Sequence, residues 1–199
     1  TMTYQQHYER LSPLLEEHQL DEAIELCERG LRAIPETDYH KVLNVQLNEV
    51  NPSFAEWIND FHARVNARMP VRSIYAELNG FTINPDLWFV DLFAFDNYHG
   101  LAHLDWTGDW QDGNATADES FGIEGFEQVQ EQFTRDLDAQ SERTQQEGEA
   151  RTFCEFLVVL RVQQLFQRTV ERLETNCPWK HIPFIVTAHD WELVYETKA

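Results

Sequence analysis

Apolar residues recur at helical spacing through the first third of the chain, then give way after Pro70 to alternation and short apolar runs. Tyr8, Leu11, Leu14 and Leu15 fall on one helical face, and Ala23, Ile24, Cys27 and Leu31 fall on another after a break near Glu17 to Leu20. This predicts a helical hairpin over residues 4–35, with Pro13 tolerable only near a first turn or as a kink. Tyr39, Val42, Leu43 and Leu47 predict a helix from Asp38 to Asn48. Asn51-Pro52-Ser53 punctuates the chain, and Ser53 with Glu56 has capping-box spacing ahead of a helix from Phe54 to Ala67. Its buried face would carry Trp57, Ile58, Phe61 and Val65.

Beyond Pro70 the period changes. Ser73 to Leu78 alternates around Ile74, Ala76 and Leu78, and Asn79-Gly80 is a turn signal. Leu87 to Phe95 is almost wholly apolar, which suits a central strand covered on both faces and placed to pair with the strand before it. Ser120 to Gly125 reads as a short strand or a helix lead-in, and Phe126, Val129, Gln130 and Phe133 form a helical stripe. Residues 134–150 read as a solvated helix or a mobile connector, interrupted by Gly148. The longest helix is expected from Glu149 to Asn176, buried on several sides at Phe156 to Leu160. Ile182 to Thr187 and Trp191 to Tyr195 alternate as two strands of a terminal hairpin. The expected class is α+β: N-terminal helices and one long C-terminal helix against an antiparallel sheet of about four strands. With 199 residues this fits a single domain, helical over 1–70 and mixed over 71–199.

One local resemblance stands out. The segment His18 to Pro35, HQLDEAIELCERGLRAIP, resembles the second half of a tetratricopeptide repeat. Leu20, Ala23, Cys27, Gly30 and Pro35 stand where that family places an aromatic, a small residue, a bulky residue, a small residue and a closing proline. His18 replaces a usual glycine, the first helix departs from the pattern at His7, Arg10 and Leu11, and no second copy follows near Trp57. The resemblance implies a repeat-like hairpin over 4–35, shaped for packing on neighbours or partners, and no catalysis.

Charge narrows the partners. Thirty-five acidic residues against fifteen basic ones give a formal charge of -20, which repels nucleic-acid phosphates and anionic membranes and attracts basic proteins. No apolar run approaches the roughly 20 residues of a membrane helix. No basic-then-apolar leader is visible, and Cys27, Cys154 and Cys177 are odd in number and widely spaced. Reduced thiols in a cytoplasmic protein are expected. Glycine-rich phosphate loops, GxSxG elbows and CxxC pairs are absent, so no cofactor and no nucleophilic mechanism are expected.

Chemistry concentrates in Leu87 to Gly113, which holds three tryptophans, three phenylalanines, two histidines and five aspartates. Asp96, His99, His103 and Asp105 supply two imidazoles four apart with carboxylates beside them, a donor set for zinc or iron in a metal-assisted hydrolase. That requires Asn97 to Leu104 to be helical, and Gly100 and the missing HExxH glutamate argue against it. Asp91 and Asp96, set among aromatics, could be tuned toward neutrality by burial, or could be satisfied structural partners.

Recognition is the stronger reading. Between Asp105 and Glu149 thirteen acidic residues face two basic ones, Arg135 and Arg143. Trp106 and Trp110 lie at the start of this stretch, and such side chains dominate interface energies when they fill a partner's pocket. Asp105, Trp106, Asp109, Trp110, Asp112, Glu119 and Glu124 are therefore the candidate docking residues for a basic protein, in the manner of an immunity or antitoxin-like protein. The opposing reading is that the tryptophans pin the loop onto the domain while the acids face water.

Overall fold

The structure is a computed structural model that describes residues 2–47, 52–138 and 143–199. Among these residues five α-helices alternate unevenly with five strands. The helices are α1 (Tyr4–Glu16), α2 (Leu20–Arg32), α3 (Pro52–Asn66), α4 (Glu127–Asp138) and α5 (Gln145–Arg172). The strands are β1 (Ser73–Asn79), β2 (Phe89–Phe95), β3 (Phe121–Gly122), β4 (Phe184–Ala188) and β5 (Tyr195–Glu196). The α+β class stands, but the sheet is not a four-stranded antiparallel one. It has five strands in the order β3-β2-β1-β4-β5, and β1 pairs antiparallel with β2 and parallel with β4.

The parallel pairing follows from where the apolar side chains go. All five residues of β4 are buried, as expected of an inner strand covered on both faces, so its pattern does not alternate. Ile74, Ala76 and Leu78 of β1 stand opposite Ala94, Leu92 and Val90 of β2 and opposite Phe184, Val186 and Ala188 of β4. These rows make one continuous apolar face. Helix α5 covers it: Phe166 meets Phe184 at 5.5 Å and Phe54 of α3 at 5.0 Å, and Gln163 Nε2 donates to the carbonyls of Val186 and Leu193 at 3.0 Å each.

Helix α5 starts at Gln145 and ends at Arg172, earlier at both ends than the apolar stripe suggested. Thr144 and Glu147 form a capping box, whose two reciprocal hydrogen bonds satisfy donors that a helix start otherwise leaves open. Gly148 thus sits inside the helix, while the part of the expected connector at 139–142 lies outside the described residues. Phe156 to Phe166 are all buried, which agrees with the all-round apolar pattern there. Two polar members of that run are tied to each other and to α2: Arg161 pairs with Glu28 and donates to Gln164, and Gln164 donates to Asp21 of α2.

Helices α1 and α2 pack together, and α2 packs along α5, where Gly30 leaves room for the ring of Phe153. Pro13 lies inside α1. The predicted helix after Pro35 is a 3₁₀ segment from Asp38 to Asn44, and the end of that prediction, Asn48, lies outside the described residues. Helix α3 begins on Pro52, a residue suited to a first helical position because its missing N–H would be unpaired there. Ser53 accordingly sits within the first turn. No helix among the described residues is long and apolar enough to cross a membrane. Cys27 and Cys154 are buried packing groups, with burial pushing the Cys27 thiol up to about 12 and Cys154 upward as well.

Candidate functional site

Strand β2 is second from the sheet edge, and its outward face is covered by a loop, not by helices. Val90, Leu92 and Ala94 point into the core, while Phe89, Asp91 and Phe93 are half-buried on the other side. The chain from Asp96 to Ser120 crosses that outer face, makes 3₁₀ turns at Asp105–Gly108 and Asp112–Asn114, and returns to bridge Ala115 to Phe93. Its return leg is tied down from several sides. Thr116 accepts from the Leu92 N–H at 2.9 Å and donates to Asp91 Oδ1 at 3.0 Å, Ser120 donates to the same oxygen, and Asn79 Nδ2 reaches Asp91 Oδ2 at 3.3 Å. From α3, Arg64 donates to the carbonyls of Gly113 and Ala115 at 3.0 Å each, and Arg68, just past the end of that helix, donates to Gly113. Trp57 Nε1 donates to the Glu119 carbonyl at 2.6 Å. Such bonds contribute about 1 kcal/mol apiece, more where a guanidinium donates, so together they fix the loop's shape.

On this platform the two tryptophans behave differently. Trp106 is half-buried, meets Phe95 edge-on at 5.1 Å and donates its indole N–H to the Gly100 carbonyl at 3.2 Å. It pins the loop. Trp110 rests on Phe93 at 5.0 Å yet is 44% exposed, among the most exposed large apolar side chains of the described residues. It presents a face. Asp105, Asp109, Asp112, Glu119 and Glu124 are all exposed, and none of them enters an ion pair among the described residues. The nearby cations Arg64 and Arg68 direct their N–H groups at backbone carbonyls and Asn114, which leaves these carboxylates uncompensated.

The histidine loop is not the helix that a metal site needed. Asp96, His99 and His103 are exposed in irregular chain, because Gly100 adopts φ +75° between the two imidazoles. His99 leans on Trp106, ring to ring at 5.9 Å. Among the described residues no three His, Cys, Asp or Glu side chains are grouped as a metal ion would require, these four included. Asp91 is the satisfied partner of two hydroxyls and an amide, and Asp96 faces water.

Family models, curated proteins and solved structures give no match to this chain. The geometry also contains a group that local spacing did not reveal. Glu77, outward-facing on the central strand β1, takes the Nδ1 of His189 at 2.8 Å and the Tyr75 hydroxyl at 3.3 Å, while His189 Nε2 lies 3.5 Å from Asp190. The hydrogen bond to Glu77 pushes His189 above the usual imidazole value, and burial foremost pushes the Tyr75 phenol upward. The alternation of β1 places Glu77 on the outer face, but nothing in sequence spacing joins it to a residue 112 positions away.

The role of Asp91 gives a direct check on the platform. Asp91→Ala removes an acceptor shared by Thr116 and Ser120 and is expected to cost about 1–3 kcal/mol. Amide hydrogen exchange over residues 112–120 should quicken more than that of α5, and unchanged exchange there would mean that Asp91 does not hold the loop.

Proposed function

We propose that the chain is a protein-binding module that docks a basic protein through the acidic face around Trp110. The observation that carries this is an indole left 44% exposed on a fixed loop whose carboxylates Asp105, Asp109, Asp112 and Glu119 enter no ion pair among the described residues. An aromatic anchor on a prearranged surface loses little freedom on binding, so most of its burial is retained as affinity. Unpaired carboxylates at Asp105, Asp109, Asp112, Glu119 and Glu124 steer a positively charged partner and set its orientation. Neutralising a basic toxin, as immunity proteins do, is the kind of role this surface suits.

The test compares wild type with Trp110→Ala, bound to resin and exposed to host lysate at low and high salt. A basic protein should be retained at low salt and released as screening increases. Trp110→Ala removes a central anchor without altering charge, and the affinity of the retained protein should fall by about 30-fold or more, the equivalent of roughly 2 kcal/mol. Retention of the same basic protein with undiminished affinity by Trp110→Ala would reduce the interaction to bare charge and overturn the assignment of this face.

A further inference from the structure

Beside the Trp110 face, a cavity of about 610 Å³ opens between α1, residues 101–107, the outer face of β1 and the segment 189–194. Its volume lies in the range of about 300–1,000 Å³ usual for ligand sites. Its lining carries five carboxylates, Glu16, Glu77, Asp105, Asp190 and Glu192, and neither lysine nor arginine. Tyr8, Tyr75 and Trp191 supply aromatic surface in the same lining. A second observation comes from the sheet beneath. Glu77 stands directly opposite Asp91 in the β1–β2 register, and like charges so placed destabilise a sheet. Asp91 is answered by hydroxyls and an amide, and Glu77 by a histidine that carries charge only when protonated, so among the described residues no lysine or arginine pairs with either one.

From this we infer that the cavity receives an arginine side chain of the protein partner. Resting on the proposed docking of a basic protein, this names the group the partner must present. A guanidinium is planar, stacks on aromatic faces and forks its N–H groups onto carboxylates, whereas an ammonium is a point charge with a tighter hydration shell. Aromatic side chains in the same lining as a half-buried carboxylate favour the former. Asp105 belongs to both the cavity lining and the Trp110 loop, so one partner can span the two.

The test titrates the full chain with a capped Gly-Arg-Gly peptide, and with its citrulline counterpart of the same shape and no charge, following tryptophan fluorescence and calorimetry. The arginine peptide should bind at least about tenfold more tightly than the citrulline peptide, and Glu77→Gln should remove most of that difference. Because Glu77 also holds His189, Glu192→Gln at the exposed rim is the second variant, and it should weaken the arginine peptide while leaving the fold intact. Trp110→Ala should leave peptide binding unchanged. Equal binding of the two peptides, or binding indifferent to both carboxylate variants, would overturn the assignment while leaving the Trp110 result standing. Conversely, peptide binding that survives together with partner capture indifferent to Trp110 would support the cavity and remove the Trp110 face.

Discussion

Trp88→Ala is expected to lower stability by about 3–5 kcal/mol, the usual cost of truncating a fully buried aromatic. Trp88 is wholly buried among Phe81, Phe126 and Phe133, whose ring centroids lie 5.2, 5.7 and 5.6 Å away. Its indole N–H donates to the Asn84 carbonyl at 3.1 Å, so alanine leaves both a cavity and an unpaired acceptor. The neighbours cannot close the space easily, because Gly80 already lets the backbone lie against the indole. Denaturant unfolding should show a lower midpoint with an unchanged slope. A loss under about 1 kcal/mol would contradict this packing. The candidate face should survive at temperatures where the variant is folded, since Trp88 lies on the lead into β2 and not in the loop that carries Trp110.

Glu28→Ala is expected to cost about 3 kcal/mol for a different reason. Its carboxylate pairs with Arg161, whose side chain is only 9% exposed at the α2–α5 seam. Removing it strands a buried guanidinium whose Nε already lacks a partner. The check is a double variant: Glu28→Ala with Arg161→Leu should recover much of the loss, because it removes the orphaned charge along with its partner. If the double variant is no more stable than Glu28→Ala alone, the loss reflects packing of Glu28 and not the stranded charge. Chemical denaturation of the four proteins in the cycle decides between the two.

The sequence made legible what depends on near neighbours. Helices α1, α2 and α3 follow from apolar residues three and four apart, and β1 follows from alternation at Ile74, Ala76 and Leu78. The partners of β1 were half legible. Its pairing with β2 could be read across the intervening loop, but the parallel contact with β4 could not, because Phe184 to Val186 looks the same in a hairpin as in an inner strand. The start of α5 was written in Thr144 and Glu147, yet the polar residues around Gly148 masked it. At the candidate site, the exposed position of Trp110 and the pinning role of Trp106 depend on Phe93 and Phe95 beneath them, and identical residue types gave no way to tell the two tryptophans apart. The cavity was illegible because it is assembled from α1, the 101–107 loop and the 189–194 segment, which only the tertiary fold brings together.

The parallel pairing of β1 with β4 has a consequence for the chain during synthesis. As it leaves the ribosome from its N-terminal end, β1 meets β2 soon after it is made, but Ile74 waits for Phe184, more than a hundred residues later. Until then one edge of the strand at the heart of the sheet offers free backbone N–H and C=O groups beside apolar side chains, a template for another nascent copy. A stalled or nicked chain that lacks Phe184 to Ala188 is therefore an aggregating species, and its removal falls to chaperones and proteases.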